Sequence, residues 1–183
     1  MQETKNYFIG KSLWLYIPLW IVFVWLFFQI LSFQAEDSHN VILSGLYFVE
    51  FGVHEVSHVV ASFLPPVFTA AAGSIGEVGF TILIVIAAVK TRSYFAAVFG
   101  GIWVMLAMHS AGRYMADART QQLPLVSFGD TAKHDWNFVF SQLGWIRNDT
   151  IIGQAVTTLG TIIGAAALVF GVYLIVRMIL EKA

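Results

Sequence analysis

Five mostly apolar runs of roughly twenty residues constrain this chain more than any other feature of its sequence, because that length spans a bilayer core as a helix. They cover about residues 12–33, 41–64, 67–89, 94–115 and 151–180. Charged residues make up only 11% of the 183-residue chain, against roughly 25% in ordinary globular proteins, too few to cover a water-facing surface. The fold class that follows is all-α: a polytopic membrane helical bundle forming a single transmembrane helical domain over 1–183. Net charge is −1, so nothing suggests electrostatic capture of nucleic acid. The expected partners are the bilayer itself and a membrane-associated peptide or lipid substrate; a homodimer is left open.

The runs differ in their interruptions. The first follows Lys5 and Lys11, is too long for a signal-peptide core and lacks a small-residue cleavage site, so it reads as a retained helix. The second stops at Pro65-Pro66, a strong helix breaker. The third is broken by Gly73, Ser74, Gly76, Glu77 and Gly79, which suggests a re-entrant segment after the two prolines, becoming regular helix near Glu77. Between the fourth and last runs lies a polar stretch with a short helix predicted near 134–143. Its Trp136, Phe138 and Phe140, with Trp145 just beyond, suit the headgroup level. Gly160 and Gly164 in the last run have the spacing of close helix packing. If all five runs cross, a cytoplasmic N-terminus places Lys5, Lys11, Arg113, Arg119, Lys133 and Arg147 inside, against Lys90, Arg92, Arg177 and Lys182 outside. That is the slightly favoured orientation.

Within the second run stands His54-Glu55-Val56-Ser57-His58. Residues four apart share one helical face, so His54 and His58 can chelate one divalent ion while Glu55 sits beside it as a general base. The alternative is a chance motif whose histidines are satisfied by hydrogen bonds. Three ionisable groups in five residues of an apolar span each cost a few kcal/mol or more without compensation, and a metal supplies it. The chain has no cysteine, so any metal must be held by His, Asp or Glu. Zn2+ is the expected cofactor.

Glu50, four residues before His54, is a ligand or an orienting group behind an imidazole, or else a buried acid paired with an arginine. Candidates for the third ligand are His109, Asp117, Asp130, His134 and Asp135. Helix counting returns the chain to the membrane face of the motif after two further crossings, which favours Asp117 and the His134-Asp135 pair, with His109 two turns deeper. Arg113 or Arg119 is placed to stabilise developing oxyanion charge, or pairs with acids. Gly73 to Gly79 packs helices closely, the favoured reading, or lets a substrate backbone approach the metal. Glu77 within it requires a partner or water.

The HEVSH motif, the Tyr114-Met115-Ala116-Asp117-Ala118-Arg119 segment with Leu123-Pro124-Leu125 after it, and His134-Asp135-Trp136 together resemble a group of small bacterial integral-membrane metalloproteins. The resemblance covers roughly Glu50 to Trp145. In principle the chain is also similar to the site-2-protease-like membrane zinc metallopeptidases, although it has no Asn-Pro-Asp-Gly-like motif. The resemblance implies a zinc-dependent intramembrane hydrolase of a bacterial inner membrane. It implies His54 and His58 as ligands, Asp117 or His134 as the third, Glu55 as general base, and Asp135 as a further ligand or acid/base. A zinc-dependent lipid amide or ester hydrolase, and a non-enzymatic metal transporter or sensor, are the alternatives.

Overall fold

A computed structural model describes residues 13–32, 40–124 and 133–181. Lys5, Lys11, Asp130 and Lys182, all used above, lie outside the described residues. The described residues form six α-helices and no strand: α1 (Leu13–Leu31), α2 (Val41–Val60), α3 (Pro66–Lys90), α4 (Tyr94–Ala116), α5 (Asp135–Gln142) and α6 (Asp149–Leu180). A 3-10 turn, Ile146–Asn148, leads into α6.

Helix boundaries follow local chemistry. Asn40 caps α2, its side chain accepting the Leu43 N–H at 3.1 Å. Pro66 opens α3, where its missing N–H has no partner to lose. Gly144 takes a positive φ of 70° just beyond α5, a conformation that costs glycine little.

Four helical segments are long and apolar enough to cross a membrane: Leu13–Leu31, Pro66–Lys90, Tyr94–Ala116 and Ile146–Leu180. The 20-residue α2 is not among them; Glu50, His54, Glu55 and His58 dilute its apolar character. Burial differs from that of a water-soluble protein, with large apolar side chains on the outside and several polar groups within an apolar core. Trp14, Phe48, Val59 and Phe63 are exposed, while Glu50, Ser74, Glu77, Thr81, His109 and Asp149 are buried. An apolar outer surface, with the ionisable groups turned inward, is what lipid selects. The chain is a helical membrane protein.

Helix α4 is the centre of the bundle, buried along most of its length. It lies antiparallel to α6, where Gly160 and Gly164 meet Met108 and Met105. A Cβ at Gly153 would strike the Gly112 carbonyl and come within 2.7 Å of the Ala116 nitrogen, so these backbones touch. Helix α1 packs on α4 and α6 through Phe23, Leu26 and Ile30.

One expectation about the helices needs correcting. The third run is not re-entrant: α3 is one continuous 25-residue helix. A Cβ at Gly73 would overlap the His54 ring, and one at Gly76 would overlap the Ser57 hydroxyl. The glycines therefore bring α2 against α3, and an unbroken helix keeps every backbone group paired away from water. The short helix forms where expected, at Asp135–Gln142, and is docked on the bundle. Trp136 and Phe140 are only 8% and 2% exposed, packed against Ala71 and Ala118, and the Trp136 indole donates to Ser74 Oγ at 3.0 Å. Phe138 is partly exposed and Trp145 is exposed.

Candidate metal centre

His54 and His58 occupy the last two turns of α2, their ring centroids 4.8 Å apart. Each ring is held from behind. His58 Nδ1 lies 2.8 Å from the Thr69 carbonyl oxygen, an acceptor only, so Nδ1 carries the proton and donates. His54 Nδ1 lies 3.3 Å from Glu77 Oε2 and donates to that carboxylate. Pinning Nδ1 as donor leaves Nε2 with a lone pair in each neutral ring. Both Nε2 atoms point at one oxygen, Asp135 Oδ2, at 3.4 Å from His54 and 3.3 Å from His58. These three residues form the one group among the described residues whose donor atoms converge as a metal site requires, all within 4.8 Å of one another.

Asp135 reaches this point because it is the first residue of α5, and His134 caps that helix by accepting the Asn137 N–H at 3.2 Å. Tyr114, in the last turn of α4, grips the same residue twice. Its hydroxyl accepts the Asp135 N–H at 3.0 Å and donates to Oδ2 at 3.3 Å. Burial pushes the Asp135 carboxyl up, but hydrogen bonds from the His54 and His58 rings, which donate from Nε2 when protonated in the absence of a metal, hold it at about 2, so it is an anion at neutral pH.

The structure places Asp135, rather than Asp117 or His134, against the two imidazoles. Asp117 spends its oxygens elsewhere, accepting from Thr120 Oγ1 at 2.6 Å, Gln122 N at 2.9 Å and Leu123 N at 2.9 Å. It thereby ties down the chain leaving α4. Those three bonds lower its carboxyl below the usual range although burial alone would raise it. His134 Nδ1 is used as an acceptor in the cap, so its proton sits on Nε2, 3.6 Å from Asp117 Oδ2. An imidazole so held has no lone pair to offer a cation. Burial also pushes it below its ordinary value.

The remaining candidates are distributed around the centre. Glu77 is nearly buried at 4% exposure and supports His54. Glu50 is wholly buried one turn before His54, and neither of its carboxyl oxygens meets a protein donor; the Trp103 indole lies near it without reaching hydrogen-bond geometry. Glu55 is half-buried, within electrostatic reach of the Tyr114 hydroxyl. His109 lies apart, its Nε2 2.9 Å from Thr161 Oγ1 on α6, with Arg113 one turn further along α4. Arg119 pairs with buried Asp149 at 3.3 Å and donates its backbone N–H to the same carboxylate at 3.0 Å. It anchors the start of α6.

Sequence reasoning missed Thr69 and Tyr114 as parts of the centre. Thr69 acts through a backbone carbonyl, which no residue type announces. The signal for Tyr114 was its position one turn before Asp117, at the same end of the bundle as the motif. Comparison with known families, curated proteins and solved structures returns no match to this chain.

Proposed function

We propose that this protein is a membrane-embedded zinc hydrolase in which His54, His58 and Asp135 hold the metal and Glu55 is the general base. One observation carries the reading. Three acceptor atoms converge while both imidazole N–H groups are committed to acceptors behind them. Two imidazole nitrogens and a carboxylate oxygen come together around a shared cation, a proton on an imidazole when no metal is bound and a metal ion when one is. A tetrahedral zinc bonded at roughly 2.0–2.2 Å sets its ligand atoms about 3.3–3.6 Å apart, the separation Asp135 Oδ2 keeps from each Nε2 (3.4 and 3.3 Å). Two His and one carboxylate leave a fourth position open, the donor set of a catalytic rather than a structural site.

When bound, the ion supplies Lewis acidity, lowering the pKa of a water towards 7 and polarising a carbonyl. The protein's own groups do the rest. Glu77 and the Thr69 carbonyl orient the imidazoles and raise their basicity. Glu55, next to His54 in sequence, accepts a proton from the attacking water and returns it to the leaving group. The His58 and Asp135 side chains are about one-fifth exposed (22% and 21%), open enough for a small reacting group. A membrane-associated peptide is the substrate class proposed first, and a lipid amide or ester second.

Metal analysis tests the site. Asp135→Ala should lose the ion that the parent retains, whereas Asp117→Ala should keep it; stoichiometric zinc in Asp135→Ala would overturn the ligand set. Glu55→Gln should keep zinc and lose hydrolysis of a membrane peptide. Buried Glu77 and Glu50, deeper in the bundle than the imidazoles, favour a second reading as a metal carrier. Zinc flux into liposomes that persists in Glu55→Gln would select it.

A further inference from the structure

We propose that the Tyr114 hydroxyl is a hydrogen-bond donor to the oxyanion that develops on substrate at the His54–His58–Asp135 centre, which rests on the reading of that centre as a hydrolytic metal site. The ring is clamped between two others. Its centroid lies 4.2 Å from that of His134, the planes 31° apart, and 6.2 Å from that of His54 at 57°. The hydroxyl oxygen is fixed by the Asp135 N–H, which it accepts at 3.0 Å. That bond uses an oxygen lone pair and leaves the O–H free to choose its direction.

The O–H now points at Asp135 Oδ2 across 3.3 Å, long for an O–H···O bond, whose usual length is about 2.7–2.8 Å. The same oxygen faces both imidazole nitrogens. A cation among those three atoms draws the charge of Oδ2 towards itself, so the stretched bond from Tyr114 is the contact most easily given up. The hydroxyl is then a neutral donor beside the reacting position, its oxygen held by the backbone so that only the proton must turn. Preorganised donors of this kind act where charge develops. Of the two arginines expected from sequence in this role, Arg113 and Arg119, the second is engaged with Asp149.

The test uses a small anionic ligand in place of the unidentified substrate. Purified full-length protein is loaded with Co(II), and acetohydroxamate, whose oxygens chelate metal ions, is titrated while the Co(II) visible absorption is followed. The parent should bind both. Tyr114→Phe should form the same Co(II) spectrum and bind acetohydroxamate about tenfold or more weakly, the loss expected for one hydrogen bond to a charged oxygen. Replacing Tyr114 with fluorotyrosines of increasing acidity, which keep the hydroxyl, should tighten binding progressively. Equal affinity in Tyr114→Phe, or loss of its Co(II) spectrum, overturns the donor role; the second outcome makes Tyr114 a positioning residue for Asp135. Should the phenylalanine variant fail to fold, affinity that stays flat across the fluorotyrosine series overturns it instead. A parent that takes up no Co(II) tells against the metal centre itself, a failure distinct from that of Tyr114.

Discussion

Asp117 and Asp135 both lie at one end of the bundle, and their surroundings give them opposite duties. Asp117 accepts from Thr120, Gln122 and Leu123, so Asp117→Ala leaves two backbone N–H groups and a hydroxyl without their acceptor. At roughly 1 kcal/mol for each bond lost, thermal unfolding in detergent should show about 2–3 kcal/mol of destabilisation with metal content preserved. The pH dependence has a definite sign. The folded carboxyl of Asp117 is lowered, so its stabilisation is present above its unfolded value, about 3.9, and is lost as pH falls through the lower folded value. The stability gap between parent and Asp117→Asn should therefore be full near neutrality and close only in that acidic range. A gap that closes near pH 7 would contradict this assignment. The HEVSH pair was legible because i, i+4 spacing is local geometry. The third carboxylate was not, since five acidic or histidine candidates share the later chain and only hydrogen bonding decides which of them is spent elsewhere.

At the scale of elements, glycines set how closely helices approach. Gly73 faces the His54 ring, whereas a Cβ at Gly79 would meet nothing within 4 Å. Gly73→Ala should displace His54 and weaken zinc binding by about tenfold or more, as disturbing the support of a ligand does. Gly79→Ala should leave metal affinity unchanged and stabilise α3 by up to about 1 kcal/mol through helix propensity. Competition with a chromogenic chelator reads both. Between α4 and α6, Gly153→Ala would press on backbone from both sides, the Gly112 carbonyl and the Ala116 nitrogen. A loss of roughly 1–3 kcal/mol is expected, because neither helix can move aside cheaply. The glycine-rich stretch of the third run was visible in sequence, and close packing was its favoured purpose, but the helix it packs against was not legible. Irregular backbone and close packing select the same small residues, and only the partner helix distinguishes them.

The whole molecule places the metal centre at one end of the bundle. The end of α2, the start of α3, the end of α4 and the short α5 meet there, while the turn joining α3 to α4 at residues 91–93 lies at the opposite end. The chain has no cysteine, so single cysteines report sidedness directly. Lys90→Cys and Gln142→Cys, both at exposed positions, should react with a membrane-impermeant maleimide from opposite faces of sealed vesicles. Labelling of both from one face would refute a bundle in which α3 crosses the bilayer.

What the sequence alone determined is what short-range regularity carries: apolar runs long enough to be helices in lipid, and two histidines on one helical face. Both follow from the period of a helix and the thickness of a bilayer, and neither depends on a distant residue. The tertiary structure decided everything that needs two distant segments to meet. It set α3 as a continuous helix rather than a re-entrant loop, buried Trp136 and Phe140 in the bundle, and turned Asp135 towards His54 and His58 while Asp117 closed its own loop. Those outcomes depend on how α5 is rotated against α3 and α4. That rotation is fixed by the Trp136–Ser74 and Asp135–Tyr114 hydrogen bonds, contacts between residues 62 and 21 positions apart that no local pattern encodes.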